Sequence, residues 1–249
     1  MNDIFETRIN NKLVLYQKEG GLTFGTDAYL LYAYLKSSSK AVAADFGSGT
    51  GVISLLAASK SKFARIHAIE VQKDFCETII LNAEKNNLSN IISVHNKDVR
   101  ELKTSDFGGE IDFVFTNPPY MKSDTGKSNV ADIKNIARHE IMGSIDDFTK
   151  AAASILKFGG YFYAVYRPDR LIDLITSMKY NGIEPKRMTH VHHTAESKPS
   201  LVLIEGKKGA SASLFVTKPL IIKKENGDDT DDIKFIYENG EFNEQYKKS

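Results

Sequence analysis

Residues 41–51 read Ala41-Val42-Ala43-Ala44-Asp45-Phe46-Gly47-Ser48-Gly49-Thr50-Gly51. The apolar run over 41–46 predicts a short buried strand, and the three alternating glycines that follow predict a sharp turn. The apolar residues between positions 52 and 57 then predict a helix over 51–59. A strand that leads through a glycine turn directly into a helix is typical of the first unit of an α/β domain.

The rest of the chain continues this alternation. Strands are predicted over 64–71, 91–94, 111–116 and 161–166, and helices over 72–86, 146–157 and 171–180. The helix over 146–157 has Ser144 as its predicted N-cap and Gly159-Gly160 as its stop. Such alternation implies a mostly parallel sheet with helices on both faces, and ligands bind such sheets at the carboxyl ends of the strands.

The two ends of the chain add to this domain. Strands over 187–193 and 201–207 have no helix between them and are predicted to pair as an antiparallel hairpin. Residues 218–223 and 234–237 are expected to form short strands, and a loop is expected to lead into a helix near Asp27. The predicted divisions are an N-terminal segment (1–40) packing on the cofactor site, a main domain (41–208) and a C-terminal extension (209–249) without an assigned role.

The glycine turn is a candidate cofactor site. Its glycines let bare backbone approach a ligand, and the N-terminus of the following helix offers N–H donors. The spacing G-x-G-x-G differs from the dinucleotide pattern and no P-loop lysine follows, so neither NAD nor ATP is favoured. S-adenosylmethionine fits better, since its amino-acid end and its ribose need such a turn. The alternative is a purely structural turn, but Glu70 ends the next strand, where a ribose-binding carboxylate belongs.

Asp98 follows the third strand, and two interpretations of it stay open. It can contact the adenine amino group of the cofactor, or it can be the N-cap of the short segment 99–103.

The second candidate site is Asn117-Pro118-Pro119-Tyr120, at the end of the strand over 111–116. The prolines lack N–H donors and fix φ, so the Asn117 side chain and nearby carbonyl oxygens are held facing outward. The Asn117 side-chain oxygen and the Pro118 carbonyl can accept hydrogen bonds from an amino group, while Tyr120 stacks on a planar ring. Together with the glycine turn, this arrangement predicts methyl transfer to a nitrogen on a planar group.

Composition and charge limit the classes of protein to which the chain can belong. Of the residues, 41% are hydrophobic and 26% charged, as in an ordinary globular protein, and no signal peptide or membrane span is expected. The single cysteine, Cys76, suits a reducing compartment, and His190 and His192 lack a third metal ligand, so no metal is expected. The net charge of +1 hides basic clusters after position 120 and over 186–208, which suit a phosphate-bearing partner.

The motifs at 45–51, Glu70, Asp98 and 117–120 resemble those of the class I, Rossmann-like methyltransferases that modify amino groups. Further stretches resemble the bacterial valine-tRNA adenine-N6 methyltransferase family, and the likeness extends to about Lys208. These stretches are Phe24-Gly25-Thr26-Asp27-Ala28-Tyr29-Leu30-Leu31, Ala137-Arg138-His139-Glu140, Tyr166-Arg167-Pro168-Asp169-Arg170-Leu171 and Ile183-Glu184-Pro185-Lys186-Arg187.

The resemblance implies a seven-stranded sheet, mostly parallel, with an antiparallel strand in the C-terminal hairpin. It implies S-adenosylmethionine as cofactor and N6-methylation of an adenine in a tRNA anticodon loop by a cytoplasmic monomer. The catalytic residues would be Asn117, Pro118 and Tyr120, and Lys122, Arg138 and Arg167 would contact RNA. The residues expected to bind the cofactor are Asp27, Asp45, Gly47, Gly49, Gly51, Glu70 and Asp98.

Two other activities fit the same motifs. A protein-glutamine methyltransferase also uses Asn-Pro-Pro-Tyr, but it would usually carry a separate N-terminal helical domain, and only about 40 residues precede the glycine turn. Guanine-N2 methylation of rRNA is a further alternative. A non-enzymatic RNA-binding module should have lost one of Gly47, Glu70 or Asn117, and all three are present.

Overall fold

The computed structural model describes residues 4–9, 13–18, 25–118 and 143–247 of the chain. Its strands are β1 (Ile4–Arg8), β2 (Val14–Lys18), β3 (Ser38–Phe46), β4 (Phe63–Glu70), β5 (Ile92–Asn96), β6 (Ile111–Thr116), β7 (Leu156–Tyr166), β8 (Ile183–His192), β9 (Pro199–Lys208), β10 (Phe215–Val216) and β11 (Leu220–Ile221). Its α-helices are α1 (Thr26–Tyr34), α2 (Val52–Ser59), α3 (Lys73–Lys85), α4 (Ile145–Ile155), α5 (Leu171–Tyr180) and α6 (Asp231–Asn239).

Strands β3 to β11 form one nine-stranded sheet with the order β5-β4-β3-β6-β7-β9-β8-β10, and β11 also pairs with β8. Within the described residues, β9 is antiparallel to both of its neighbours and the other pairings of this sheet are parallel. The seven longer strands β3 to β9 form the predicted sheet, and β8 and β9 form the predicted hairpin. The predicted fold class is therefore confirmed, and β10 and β11 extend the sheet beyond it.

The core has two layers, one on each face of the sheet. Along β3, Ala41 and Ala43 pack into a cluster that includes side chains of α1, α2 and α3, whereas Ala44 and Phe46 pack with α4 and α5. This alternation follows from the two-residue period of a strand. Burying a side chain such as Phe46, which is 0% exposed, contributes about 1.5–3 kcal/mol.

One predicted helix boundary is wrong. The helix α4 ends at Ile155, and β7 begins at Leu156, so Gly159 and Gly160 lie inside a strand instead of stopping a helix. The register between β6 and β7 shifts close to these glycines, and Gly159 has φ +78°. A Cβ atom at Gly160 would lie 2.9 Å from the Lys157 carbonyl oxygen. The glycines therefore permit an irregularity where two backbones approach closely.

The strand expected over 234–237 is also wrong, because this segment belongs to helix α6 (Asp231–Asn239). The Thr230 hydroxyl accepts a hydrogen bond from the Ile233 N–H, and Gly240 ends the helix in the left-handed conformation. Ile233 and Ile236 are buried at helical spacing against the main core. The short strand expected over 218–223 is present as β11, and the helix expected near Asp27 is α1.

Candidate active site

The two candidate motifs begin side by side at the carboxyl edge of the sheet. Strands β3 and β6 are parallel neighbours, with Phe46 opposite Thr116, and the Thr116 hydroxyl donates to the Phe46 carbonyl at 2.9 Å. The chain order of the strands reverses between these two strands, since β4 and β5 lie beyond β3 while β7 lies beyond β6. Gly47 and Asn117 therefore flank a topological switch point, which is where α/β sheets bind ligands.

The glycine turn depends on left-handed backbone. Gly47, Gly49 and Gly51 have φ of +66°, +55° and +80°, values that side chains other than glycine rarely adopt. A Cβ atom at Gly51 would lie 3.0 Å from Ile79, whereas one at Gly49 would meet nothing within 4 Å. Gly51 thus allows α3 to pack closely, while the backbone of Gly49 faces open space beside the turn.

Glu70 lies directly against this turn. It is 2% exposed, its Oε2 accepts from the Gly49 N–H at 3.0 Å, and its Oε1 accepts from the Gln72 N–H at 2.9 Å. Burial raises the pKa of Glu70, although these backbone hydrogen bonds oppose the rise. Each carboxylate oxygen has a further lone pair, so Glu70 can still accept hydrogen bonds from ligand hydroxyl groups.

Asp45 lies beneath the turn. It is 1% exposed, and its Oδ2 accepts a hydrogen bond of 2.7 Å from the hydroxyl of Ser54 on helix α2. Burial raises the pKa of Asp45 to about 7. The structure therefore gives Asp45 a contact that holds β3 to the start of α2, and its role in binding a cofactor stays a prediction.

Asp98 serves as an N-cap. Its Oδ1 accepts from the Arg100 N–H at 2.8 Å at the start of the short 3₁₀ helix Val99–Glu101, and its carboxylate also pairs with the Arg100 side chain. Burial favours a higher pKa for Asp98, but the hydrogen bonds from Arg100 outweigh it and lower the pKa. Asp98 also lines the recess described next, so the N-cap does not exclude a ligand contact.

A recess beside the turn combines carboxylates with apolar walls. Glu70 and Asp98 supply the carboxylates, and Ile69, Val71, Val99 and Phe148 supply apolar surface. Phe148, on α4, was not predicted from the sequence. Its ring would lie 3.5 Å from a Cβ atom at Gly47 and is packed edge-on against Phe46. Lys97 also lines this recess, whose volume is about 20 Å³. Apolar surface next to carboxylate acceptors suits contact with a nucleoside, whose base is flat and whose ribose and amino groups donate hydrogen bonds.

The Asn117 amide is held by helix α1. Its Nδ2 donates to Asp27 Oδ2 at 2.9 Å, and its Oδ1 is buried without a hydrogen-bond partner in the described part of the chain. A flipped amide would set Oδ1 against the carboxylate, where two acceptors repel each other, so Asp27 fixes the orientation. Pro118, also buried, follows directly. The structure thus places Asp27, predicted as a cofactor contact, against Asn117.

Three of the predicted residues lie outside the described ranges, namely Tyr120, Lys122 and Arg138. Arg167 is described and follows β7, whose carboxyl end lies at the same edge of the sheet as Asn117. Its guanidinium pairs with Asp169, with Nη2 and Oδ2 2.6 Å apart. Its side chain is 31% exposed, so it remains accessible to a phosphate group.

Two asparagines at the C-terminal end of α3 were not predicted from the sequence, namely Asn82 in the helix and Asn86 at its C-cap. The Asn86 and Asn82 amides each hydrogen-bond both backbone groups of a β2 residue, Val14 and Tyr16 respectively. Asn82 also donates to the Thr50 carbonyl at 3.3 Å, which joins the β1–β2 hairpin to the glycine turn. Their spacing of four residues places both on one helix face, and that is the signal that could have identified them.

Neither a metal centre nor a membrane span is found in the described residues. No group of three or more His, Cys, Asp or Glu side chains there is arranged to hold a metal ion. None of the helices described is long and apolar enough to cross a bilayer. Cys76 is buried, and burial raises the pKa of its thiol.

Residues 19–172 match the family described as methyltransferase small domain. Two curated relatives carry the name tRNA1(Val) (adenine(37)-N6)-methyltransferase. The relative from Parabacteroides distasonis is 27% identical over 194 residues, which are 78% of this chain and 80% of that protein. The relative from Phocaeicola vulgatus is 27% identical over 199 residues, covering 79% of this chain and 81% of that protein.

Two solved structures illustrate the fold that this chain shares with other proteins. A predicted O-methyltransferase from Agrobacterium tumefaciens superposes with a TM-score of 0.67 at 20% identity, covering 86% of this chain and 96% of that protein. M. jannaschii TYW2 in complex with AdoMet gives a TM-score of 0.57 at 14% identity, with coverages of 83% and 86%. At these identities the likeness is one of fold.

Proposed function

Because this chain belongs to the methyltransferase small domain family, we propose that it uses S-adenosylmethionine to methylate N6 of an adenine in a tRNA anticodon loop. The named activity of the curated relatives, which match more than three quarters of the chain, supports this substrate. The same names favour valine tRNA and the adenine at position 37.

The observation that carries the proposal is that the Asn117 side-chain oxygen is available to accept a hydrogen bond while the amide nitrogen is held by Asp27. Asn117 Oδ1 is buried and has no hydrogen-bond partner among the residues that the structure describes. Leaving such an oxygen unsatisfied costs about 1–3 kcal/mol, so a donor is expected to reach it when the substrate binds. An exocyclic adenine amine carries two N–H donors. Asn117 Oδ1 would accept one of them and the Pro118 carbonyl the other, which holds the nitrogen in place and draws its lone pair out of the ring.

The residues around the glycine turn fit the proposed cofactor. S-adenosylmethionine, when bound, supplies a methyl group on a positively charged sulfur. Glu70 would accept hydrogen bonds from its ribose hydroxyls, the open backbone at Gly49 would receive the chain of its amino-acid part, and Asp98 would meet the adenine amino group. The apolar side chains of the recess, Phe148 among them, would contact the adenine ring.

The chain would act mainly by positioning. Asn117 and Pro118 hold the amine, Tyr120 is expected to stack on the base, and Asp27 keeps the Asn117 oxygen turned toward the substrate. The amine proton becomes acidic only as the new bond forms, so it can leave to water without a strong base. An unpaired loop base costs little to turn outward, which favours a tRNA loop over a duplex.

The basic residues would contact the phosphates of the tRNA. Arg167 stands at the same edge of the sheet as Asn117, and Lys122 and Arg138 follow the Asn-Pro-Pro-Tyr motif in the sequence. We expect tRNA binding to weaken with salt, since each phosphate contact releases counterions. We also expect a cytoplasmic enzyme, where tRNA is available, that acts as a monomer.

Methyl transfer from a labelled cofactor tests this function. The pure protein is incubated with total tRNA, rRNA or a protein release factor, and the products are mapped by mass spectrometry. We expect N6-methyladenine in the anticodon loop, and loss of transfer with retained cofactor binding in Asn117→Ala. Methyl on guanine N2, or only on protein glutamine, would refute the substrate assignment but not the methyltransferase fold. Wild-type turnover in Asn117→Ala would refute the role of Asn117.

A further inference from the structure

A second cavity lies at the opposite edge of the sheet from Asn117. Its volume is about 510 Å³. Its walls come from residues 33–37, which precede β3, from strands β7, β8 and β9, and from residues 241–247 of the C-terminal extension. Strand β3 has nine residues, and at about 3.3 Å per residue it separates this cavity from the glycine turn by about 30 Å.

The cavity has an excess of positive charge. Six cationic side chains and three carboxylates line it. The carboxylates already have cationic partners: Glu205 pairs with Lys36 and Arg187, and Glu241 and Glu244 both pair with Lys247. Within the described residues, the other three cations have no carboxylate within 4 Å, and these are Lys62, Lys186 and Lys207.

Lys62 is the most informative of the three because it is only 6% exposed. Its ammonium donates to the Leu35 carbonyl at 3.2 Å and lies 4.9 Å from the centre of the Tyr32 ring. An ammonium has three N–H donors, so this single hydrogen bond leaves it incompletely satisfied. Burial lowers the pKa of Lys62 to about 8, which reflects the cost of keeping this charge away from water.

A second buried donor lies in the same wall. The Arg187 guanidinium is stacked on Tyr34 at 3.7 Å and donates to the Tyr34 and Tyr246 carbonyls. Its Nε is nevertheless buried without a hydrogen-bond partner in the described part of the chain. The charge of this guanidinium is, however, paired with Glu205, so it is the Lys62 ammonium, which has two donors unused by hydrogen bonds within the described residues, that indicates an acceptor supplied from outside.

We propose that this cavity binds a phosphate-bearing anion, with Lys62 and Lys207 as its principal contacts, because the Lys186 ammonium already donates to the Ser211 carbonyl and the Ser213 hydroxyl. Phosphate oxygens accept several hydrogen bonds and would offset the unbalanced charge. The volume exceeds what a single phosphate needs, so a pyrophosphate or a nucleotide also fits. The phosphate belongs either to a free small molecule or to the backbone of an RNA that extends from the active site.

Thermal unfolding of the full chain in pyrophosphate tests this site. We expect the Tm to rise with saturation as pyrophosphate is added, beyond any change in sodium chloride of equal ionic strength. Lys62→Met and Lys207→Met should remove the saturable rise. Lys150→Met is the matched control, since it removes one positive charge from the exposed face of α4 and should keep the full rise.

Binding of tRNA to the same variants identifies the source of the phosphate. If RNA supplies it, Lys62→Met and Lys207→Met weaken tRNA binding and reduce the slope of log K against log salt by about 1 each. If a free anion supplies it, tRNA binding is unchanged while pyrophosphate still stabilises the wild type. The proposal is overturned if pyrophosphate acts only as salt and tRNA binding is unchanged, or if both variants keep the saturable rise. Should Lys62→Met fail to fold, the less buried Lys207 decides the result.

Discussion

At the scale of single residues, the direction of one amide determines whether Asn117 can accept a hydrogen bond from a substrate. Asp27 and Asn117 are 90 positions apart and lie on different elements, yet Oδ2 of one and Nδ2 of the other are 2.9 Å apart. The sequence contains both motifs, but no spacing rule relates a residue in the first turn of α1 to one that follows β6. Their contact could only be seen in the folded chain.

Replacing Asp27 distinguishes a role in orienting the Asn117 amide from a role in binding the cofactor. If Asp27 holds the Asn117 amide, Asp27→Ala should lower kcat about 10- to 100-fold, the equivalent of one charge-assisted hydrogen bond, without weakening cofactor binding. Asp27→Asn retains an acceptor oxygen and should recover most of the rate. Steady-state kinetics with calorimetry of cofactor binding makes the distinction. A weaker cofactor affinity with unchanged kcat would instead support the cofactor contact that the resemblance implies.

Glu70 should act on cofactor affinity. We expect Glu70→Ala to weaken binding of S-adenosylmethionine by about 1.5–3 kcal/mol, since a charged acceptor for the ribose is lost. Glu77→Ala, which removes an exposed carboxylate from the neighbouring helix α3, is the control and should bind normally. Calorimetry gives both affinities, and an unchanged value for Glu70→Ala would exclude Glu70 from the site.

At the scale of elements, the glycine turn requires glycine at Gly49 and at Gly51 for two different physical reasons. Gly49 and Gly51 both have positive φ, but only at Gly51 does a neighbouring helix leave no room for a side chain. The turn therefore positions helix α3 through Gly51 and leaves backbone accessible through Gly49. The packing of α3 and the accessibility of the backbone both depend on the turn that connects β3 to α2.

Alanine substitutions should distinguish these reasons. Gly49→Ala should cost about 1–2 kcal/mol of unfolding free energy, because only the left-handed backbone is unfavourable. Gly51→Ala should cost more, because its Cβ atom would also lie 3.0 Å from Ile79. In an Ile79→Ala background the extra cost should disappear, which a double-mutant cycle from urea unfolding measures. Equal costs at both positions would contradict this explanation.

The same scale shows what the sequence could predict. The strand over 111–116 and the helix over 171–180 coincide with β6 and α5, because their apolar spacing and terminal residues agree. Gly159-Gly160 was misread as a helix stop, since glycine is favoured both after helices and at irregular strands. The β1–β2 hairpin was missed, because its position depends on amide contacts from Asn82 and Asn86, which are made between distant segments.

At the scale of the whole molecule, two buried titratable groups, His67 and Asp45, are expected to change the unfolding free energy with pH in opposite directions. His67 on β4 is 4% exposed and lies 2.8 Å from the ring of His95, from Nδ1 to Nε2. Burial, followed by the charges of His95 and Arg65, lowers the pKa of His67 to about 4. Asp45, on the neighbouring strand, has its pKa raised to about 7 by burial.

These two pKa shifts make the unfolding free energy depend on pH in opposite directions. His67 is protonated more readily in the unfolded chain, so its contribution to stability is lost as the pH falls from about 6.5 to about 4. Asp45 is protonated more readily in the folded chain, so its contribution is present below about pH 3.8 and is lost as the pH rises through about 7. Ionisable groups that do not interact with His67 or Asp45 add to the profile of the wild type, but they cancel in the difference between a variant and the wild type.

Two variants therefore test these assignments together. Relative to the wild type, the unfolding free energy of His67→Gln should increase as the pH is lowered from 6.5 to 4, by roughly 2–3 kcal/mol in total. That of Asp45→Asn should increase as the pH is raised from 3.8 to 7, by a similar amount, since asparagine can still accept the Ser54 hydrogen bond. Urea unfolding across this range gives both differences. A difference that stays flat across this range would mean that the group in question titrates normally in the folded chain, and a slope of the opposite sign would mean that its pKa is shifted in the other direction.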